Sequence, residues 1–350
     1  MDTILHDFSY YFSRPANVQI DVTDECNLAC IYCYNFANQV SRREALNDVE
    51  FENVIEKIIE ELNPVTVTFS GGEPFLRKDL LFRSIKMLNE KDIEVQINTN
   101  ALLIDEHISR ELAGCEIKTV SVNIESLEPS EYDTIRGAQG SFFKLKNSLE
   151  LLKKAVGNRK ISIATVVNKM NHQSLLDIAR YVKSNDFFEY HLLDMIPTNE
   201  ESQKLILSKD EWRIFYKTYL EIVKLGIRIK PNHALLFLNE FSQDTVFPFC
   251  MAGRLKMVIC ANGDIVPCNY FKTPEYVCGN AVRDNLLEVW ERSACMTKFR
   301  YSLKGYESCY SCEHFRRCAG GCKALSYFFY SRPFSPDPYC KTYKIKALGS

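Results

Sequence analysis

The sequence predicts an α/β fold in which a parallel sheet with helical crossovers precedes a small cysteine-rich domain. Between residues 17 and 195, six short β-branched segments alternate with longer segments of helical periodicity. Parallel strands require crossovers of this kind. Nine of the fourteen cysteines lie between Cys250 and Cys322, whereas only Cys115 lies between Cys33 and Cys250. This uneven distribution indicates two regions of different composition.

The change in cysteine content places a domain boundary near residues 226–245. We expect a first domain over residues 1–226, a linking segment over residues 227–249 and a second domain over residues 250–350. A chain of 350 residues is long enough for about two domains of ordinary size.

The composition excludes several functional classes. With 46% hydrophobic and 25% charged residues, the chain resembles an ordinary globular protein. A formal net charge of −2 leaves no excess of cations for a general nucleic-acid binder. No apolar run approaches the length of a membrane span, and the opening residues are not a signal peptide. We therefore expect a cytoplasmic protein whose cysteines bind metal rather than form disulfides.

The strands are predicted from runs of β-branched residues. They are Val18–Val22, Val65–Phe69, Ile93–Ile97, Ile117–Asn123, Ile161–Val166 and Glu189–Met195. Between the first two strands, apolar side chains recur at helical spacing at Phe51, Val54, Ile55, Ile58, Ile59 and Leu62. Asn47 and Glu50 have the spacing of a capping box at the start of that helix. Such a pattern suits a partial barrel or a doubly wound sheet, and in both the chemistry gathers at the carboxyl ends of the strands.

A loop with three cysteines follows the first strand. Cys26 and Cys30 are separated by three residues, and Cys30 and Cys33 by two. Three thiolates can hold three irons of a 4Fe–4S cluster and leave the fourth iron open to a small chelator. A structural zinc site usually has four ligands, and no further cysteine occurs before Cys115.

A second motif, Gly71-Gly72-Glu73-Pro74, follows the second strand. Glycines allow a ligand to approach the backbone closely, and a carboxylate is a natural acceptor for an ammonium group. By itself the motif would be a turn in most proteins.

The carboxy-terminal cysteines form a regular series. Cys250 and Cys268 flank Asn262-Gly263, which is a strong signal for a two-residue hairpin. The remaining members of the series are Cys309, Cys312, Cys318, Cys322 and Cys340. Seven thiols without paired histidines are an unusual set of zinc ligands.

The first loop resembles the C-x3-C-x-φ-C signature (φ, aromatic) of the radical S-adenosylmethionine (SAM) superfamily, and the later series resembles its SPASM domain. This resemblance implies a partial (β/α)6 barrel followed by a small domain with a β-hairpin and helices. It also implies that Cys26, Cys30 and Cys33 bind a 4Fe–4S cluster and that two auxiliary iron–sulfur clusters follow. By resemblance, the residues that contact SAM are Tyr32, Gly71, Gly72, Glu73, Pro74, Asn98, Ser121, Asn123, Arg136 and Leu193. For Arg136 the alternative is an arginine at a helix end in solvent.

The resemblance assigns four cysteines to the distal auxiliary cluster, namely Cys309, Cys312, Cys318 and Cys340. Cys250, Cys268 and Cys322 would hold the proximal cluster, which then lacks a fourth cysteine. If Asn262-Gly263 forms a two-residue turn, residue 260 pairs with 265 and residue 257 with 268. Cys260 and Cys268 would then point to opposite faces, so we predict a three-cysteine proximal cluster with an open iron or a non-cysteine ligand.

The remaining cysteines, Cys115, Cys278 and Cys295, are expected to be small buried apolar residues. An epimerase would need a spare thiol to return a hydrogen atom. These three cysteines and Cys260 are the candidates, and no spacing rule selects among them.

The resemblance implies cleavage of SAM to a 5′-deoxyadenosyl radical that abstracts hydrogen from a substrate. Maturation of a ribosomally made peptide, by crosslinking, epimerisation or oxidation, is the expected class. The alternatives are an oxidoreductase or epimerase for a sugar, aminocyclitol or tetrapyrrole precursor, and a non-catalytic iron–sulfur electron carrier. The expected partners are a flavodoxin or ferredoxin as electron donor and a separate leader-recognition protein, because only 25 residues precede Cys26.

Overall fold

The protein forms a ten-stranded sheet flanked by helices. The computed structural model describes residues 12–35, 44–231, 250–302, 304–312 and 315–340. The strands are β1 Asn17–Thr23, β2 Thr66–Gly71, β3 Glu94–Thr99, β4 Ile117–Asn123, β5 Ile161–Val166, β6 Glu189–Leu193, β7 Ile229–Lys230, β8 Lys256–Ile259, β9 Asp264–Val266 and β10 Gly279–Asn280. Their order across the sheet is β10-β9-β8-β1-β2-β3-β4-β5-β6-β7.

The helices occupy the crossovers and most of the carboxy-terminal part. They are α1 Asp48–Lys57, α2 Lys78–Asn89, α3 Glu106–Ala113, α4 Pro129–Arg136, α5 Ser141–Val156, α6 Leu175–Ser184, α7 Glu200–Lys204, α8 Lys209–Lys224, α9 Leu286–Arg292, α10 Ala294–Tyr301, α11 Phe315–Cys318 and α12 Lys323–Tyr330. A π-helical turn, Ile58–Leu62, continues α1.

The predicted α/β fold is confirmed. Strands β1 to β6 pair in sequence order and in parallel, and their bounds lie within two residues of the predicted ones. The capping box that opens α1 is present, because the Asn47 side chain accepts from the Glu50 backbone while the Glu50 carboxylate accepts from the Asn47 backbone. Local sequence signals therefore determined this half of the sheet.

The two faces of β1 differ in polarity. Val18, Ile20 and Val22 are fully buried and pack with the helices in the main hydrophobic core. Gln19 and Asp21 point to the opposite, inner face, because side chains alternate along a strand. Both polar side chains are also buried, so the inside of the curved sheet is polar.

The carboxy-terminal part extends the same sheet. Strand β8 pairs in parallel with β1, and β9 returns antiparallel to β8. Strand β7 pairs with the edge of β6. It lies beyond residue 226, at which the predicted first domain ends. The segment 232–249, which holds most of the predicted linker, lies outside the described residues.

The hairpin register differs from the predicted one. Ile259 pairs with Ile265 and Cys260 with Asp264, so three residues (261–263) form the turn rather than two. Gly263 adopts a positive φ of 84° at its end, as in three-residue hairpins closed by a left-handed residue. The predicted two-residue turn is therefore wrong by one residue.

No helix among the described residues combines the length and the apolar character needed to cross a membrane.

Candidate active site

The cysteine loop is joined to the glycine motif by backbone hydrogen bonds. The Gly72 amide donates to the Thr23 carbonyl (2.7 Å) and the Glu73 amide to the Glu25 carbonyl (2.8 Å). A Cβ atom on Gly72 would lie 1.9 Å from the Glu25 carbonyl oxygen. Glycine is required here because the two loops touch at their backbones.

Glu73 is buried beneath this contact. Its carboxylate accepts from the amides of Phe75 (3.2 Å) and Asn100 (2.9 Å) and from the Thr99 hydroxyl (2.8 Å). Burial raises the pKa of Glu73 to about 7, although these donors oppose the shift. The carboxylate therefore connects the motif after β2 to the end of β3. Pro74 begins the short 3-10 helix that follows.

Arg136 is buried at the end of α4 and not in solvent, so the alternative placement of this arginine at an exposed helix end is wrong. Its guanidinium donates to the Tyr32 hydroxyl and lies 3.7 Å from Glu125 Oε1. The Tyr32 hydroxyl in turn donates to Glu125. Burial raises the pKa of Glu125 to about 7, against the opposing effect of Arg136. The Arg136 Nε atom is buried and has no hydrogen-bond partner, which leaves a donor for a ligand.

The other residues expected to contact SAM lie at the same edge of the sheet. Asn98, Ser121, Asn123 and Leu193 stand at or near the carboxyl ends of β3, β4 and β6, and Gly71 ends β2.

Asn100 also belongs to this edge and is absent from our predicted contacts. Its side-chain amide donates to the Asn27 side chain (2.7 Å) and lies 3.8 Å from Cys26 Sγ. It lies two residues after the predicted Asn98 in the run Asn98-Thr99-Asn100, which was the available signal.

The three thiols of the first loop are close enough to interact. Burial raises the pKa of Cys30 to about 12; Arg136 lowers it, and the neighbouring Cys33 and Cys26 raise it further. Such mutual repulsion is relieved when thiolates bind a metal cluster, so the donor set fits an iron–sulfur cluster. Among the described residues no three His, Cys, Asp or Glu side chains are arranged to hold a single metal ion.

The carboxy-terminal cysteines gather in two groups. Cys318 is buried, and its pKa is raised to about 12 by burial and then by its neighbours Cys340, Cys309 and Cys312. We name these four the distal group.

The other three, Cys250, Cys268 and Cys322, form the proximal group. Burial raises the pKa of Cys268 and of Cys322, and in both cases Cys250 raises it further. The assignment of these two groups to two auxiliary clusters stays a prediction.

Asp337 orders the loop between the two groups. It is almost fully buried, and its carboxylate accepts from the amides of Cys322 (2.8 Å) and Tyr339 (2.9 Å). The Cys340 amide donates to the Asp337 carbonyl (2.9 Å). Sequence reasoning missed this role, although Asp337-Pro-Tyr-Cys340 is a recognisable motif.

The predicted opposite faces of Cys260 and Cys268 depended on a register that the hairpin does not adopt. With Cys260 paired to Asp264, Cys260 shares its face with Val258 and Val266, and β9 ends before position 268. Cys260 is buried instead among Lys272, Asp21 and Asp24, which act on its pKa, and packs with Val258 and Val266. Position 268 lies two residues beyond the end of β9.

The segment after the first loop contacts the segment after Cys268. We call the residues of this contact, Tyr34, Asn35, Tyr270 and Lys272, the polar wall. Lys272 donates to Asp21 and Asn35, and its ammonium lies 5.5 Å from the Tyr34 ring centre. Tyr34 packs on Tyr270, with 5.1 Å between ring centres. The two residues that follow Cys33 thus contact residues two and four positions after Cys268.

Lys256, at the start of β8, lies beside this polar wall, close enough to Lys272 for the two charges to interact. It donates to the side-chain oxygens of Gln19 (2.7 Å) and Asn269 (3.3 Å). Both partners are neutral, and the third N–H of the ammonium is left over. Burial lowers the pKa of Lys256, against the opposing effects of Cys268 and Asp21. The residue as a whole is partly buried.

Comparison with known proteins agrees with this geometry. Residues 20–182 match the radical SAM superfamily, and residues 250–313 match the SPASM iron–sulfur cluster-binding domain. The chain belongs to the radical SAM superfamily and carries a SPASM domain. Radical SAM SPASM enzymes use SAM and iron–sulfur clusters, so this membership makes the protein an enzyme.

Relatives of this radical SAM protein are similar to it over most of their length. The AdoMet-dependent heme synthase of Methanosarcina barkeri is 24% identical over 94% of this chain and 97% of its own. The mycofactocin maturase MftC of Mycolicibacterium smegmatis is 26% identical over 96% and 85%. The crystal structure of Streptococcus suis SuiB bound to the precursor peptide SuiA has a TM-score of 0.75 at 22% identity, covering 97% of this chain and 78% of that one.

Cys115, Cys278 and Cys295 are each partly exposed. The expectation that they are buried is therefore wrong. No disulfide joins any of the described cysteines.

Proposed function

We propose that this enzyme matures a ribosomally made peptide by abstracting a hydrogen atom from it, using a SAM-binding cluster and two auxiliary clusters. The contact of Tyr34 and Asn35 with Tyr270 and Lys272 carries the proposal, because it sets the first cysteine loop and the proximal group on one wall. Similarity to a mycofactocin maturase and to the fold of SuiB supports the peptide class.

Each part of the site has a proposed task. Cys26, Cys30 and Cys33 would hold a reducible iron–sulfur cluster, and SAM bound there would supply a 5′-deoxyadenosyl radical. The free Arg136 Nε and the backbone at Gly71-Gly72 would hold the cofactor. The cofactor pocket would be lined by Asn98, Ser121, Asn123 and Leu193. The polar wall would help to keep water from the radical.

A tetrapyrrole precursor remains the second candidate. The similarity to an AdoMet-dependent heme synthase over almost the whole of both chains favours it. The polar wall and Lys256 would suit a carboxylate of a peptide or of a tetrapyrrole precursor, because Lys256 has an uncommitted donor and Lys272 lies nearby.

The first experiment is anaerobic reconstitution followed by iron counting and a search for 5′-deoxyadenosine after addition of SAM and a strong reductant. We expect about twelve irons per chain, four for each of three clusters, and deoxyadenosine formation. Cys26→Ala should abolish deoxyadenosine and remove about four irons, whereas Cys115→Ala should change neither. Iron without deoxyadenosine would leave an electron carrier. A stimulation of turnover by a tetrapyrrole precursor, and by no peptide, would transfer the proposal to the second candidate.

Lys256→Met tests whether the Lys256 ammonium binds a substrate carboxylate. Loss of one charge-assisted hydrogen bond should raise KM about ten-fold and leave substrate-independent deoxyadenosine formation unchanged. Lys204→Met is the matched control, because Lys204 pairs with Glu201 on the surface. An unchanged KM, or a loss of iron, would show that Lys256 serves the fold or the proximal group instead.

A further inference from the structure

Two cysteines outside the proposed cluster groups lie side by side. The Cys278 thiol donates to the Tyr276 carbonyl at 3.5 Å, and the Cys295 thiol donates to the same oxygen at 3.3 Å. When Cys295 is deprotonated, the Cys278 thiol can turn from this carbonyl and donate to the Cys295 sulfur, and each thiol acts on the pKa of the other. They are seventeen residues apart in the sequence, one before β10 and the other in the first turn of α10, so the fold alone brings them together.

The surroundings of the two thiols shift their pKa values in opposite directions. The hydrogen bond from Cys278 lowers the pKa of Cys295, burial opposes this, and Lys298 on the next turn of α10 lowers it further. The same hydrogen bond, together with burial, raises the pKa of Cys278. The first turn of a helix also favours a thiolate. Cys295 is thus suited to attack and Cys278 to remain protonated until needed.

We propose that Cys278 and Cys295 form a redox-active dithiol that reacts with small-molecule disulfides, separately from the cluster cysteines. The Cys295 thiolate attacks a disulfide RSSR, which forms a mixed disulfide and releases RS⁻. Cys278 then loses its proton and attacks the Cys295 sulfur, which forms the internal disulfide and releases a second RS⁻. The two cysteines are oxidised, RSSR is reduced to two thiols, and the two protons lost by the cysteines neutralise the two thiolates.

The oxidised pair would be coupled to the proximal group through aromatic packing. Tyr276, which accepts from both thiols, packs edge-on against Phe271 at 4.7 Å between ring centres. The Phe271 amide donates to the Cys268 carbonyl (2.9 Å). A bond that ties the segment before β10 to α10 would therefore act on the backbone of a proposed cluster ligand.

Cys115 provides an internal comparison. It is partly exposed like the pair, but its thiol donates to the Glu111 carbonyl one turn earlier in the chain. Burial and Glu111 raise its pKa, and no cysteine is among the groups that act on it. A disulfide reagent that meets Cys115 should react slowly and stop at the mixed disulfide.

The test uses the reconstituted holoenzyme and oxidised glutathione under anaerobic conditions, with alkylation, tryptic digestion and mass spectrometry. Cleavage after Lys272, Arg283, Arg292 and Lys298 places the two cysteines in different peptides, each with one cysteine. We expect these two peptides to become linked, at least roughly ten-fold faster than Cys115 gains glutathione, while the iron content stays constant. In Cys278→Ser, glutathione should remain on Cys295, and Cys115→Ser should behave as the wild type.

Three results would overturn the proposal. One is stable glutathione on Cys295 of the wild-type enzyme, and another is an unmodified pair when Cys115 has already reacted. The third is a link that forms only as iron is lost, which would make it a product of cluster damage. The wild-type peptides alone decide among these outcomes if a variant fails to fold. Because none of the readouts depends on SAM cleavage, failure of the proposed function would leave this result unaffected.

Discussion

At the scale of single residues, the site depends on close backbone approaches that permit no side chain. Gly72 meets the Glu25 carbonyl, and Gly137 meets the Ala29 carbonyl, where a Cβ atom would lie 2.4 Å away. Gly137 also has a positive φ of 67° as it ends α4. The cysteine loop is therefore held from both sides by glycine contacts.

Gly72→Ala should displace the cysteine loop, because a methyl group at 1.9 Å from a carbonyl oxygen forces the backbone to move. We expect a loss of about 2 kcal/mol in the free energy of unfolding and weakened SAM binding by calorimetry of the reconstituted protein. Gly114→Ala is the matched control, since its nearest atom would be 3.5 Å away. Equal behaviour of the two variants would show that the loop contact is not needed.

At the scale of elements, the β8–β9 hairpin decides where Cys260 lies. The Asn-Gly pair signals a turn correctly, but the chain adds one residue before the strands pair. A shift of one residue reverses the face of every side chain on one strand. The prediction that Cys260 stays outside the proximal group consequently rests on its surroundings and not on strand alternation.

Cys260→Ala should leave the iron content of the reconstituted enzyme unchanged, because Cys260 is surrounded by Lys272, Asp21 and Asp24. Cys268→Ala, the same change in the proximal group, should remove one cluster of about four irons. Loss of a whole cluster from the Cys260 variant would contradict this placement and identify Cys260 as the fourth ligand.

At the scale of the whole molecule, the main hydrophobic core draws on both predicted domains, and a second core lies mostly in the carboxy-terminal part. Met257, Ile265 and Trp290 belong to the same buried cluster as Val18 and Phe51. The Lys57 ammonium also donates to the carbonyls of residues 281 (2.7 Å) and 284 (2.5 Å). The carboxy-terminal part therefore extends the sheet and its core, in addition to carrying cysteines.

Met257→Ala should lower the free energy of unfolding by about 3 kcal/mol, because a fully buried side chain leaves a cavity. If the core is shared, urea unfolding followed by circular dichroism and by tryptophan fluorescence should give one coincident transition. Met170→Ala is the control, since Met170 is 38% exposed. Two separate transitions, of which only one shifts, would show independent domains.

The sequence alone determined the features that depend on near neighbours. The strands, the capping box at Asn47 and Glu50 and the spacing of Cys26, Cys30 and Cys33 are encoded within a few residues, so local pattern was sufficient to predict them. The tertiary structure decided the burial of Arg136, the hairpin register and the meeting of Cys278 with Cys295. These depend on how distant segments pack, because a side chain's surroundings are created by residues that no local pattern specifies.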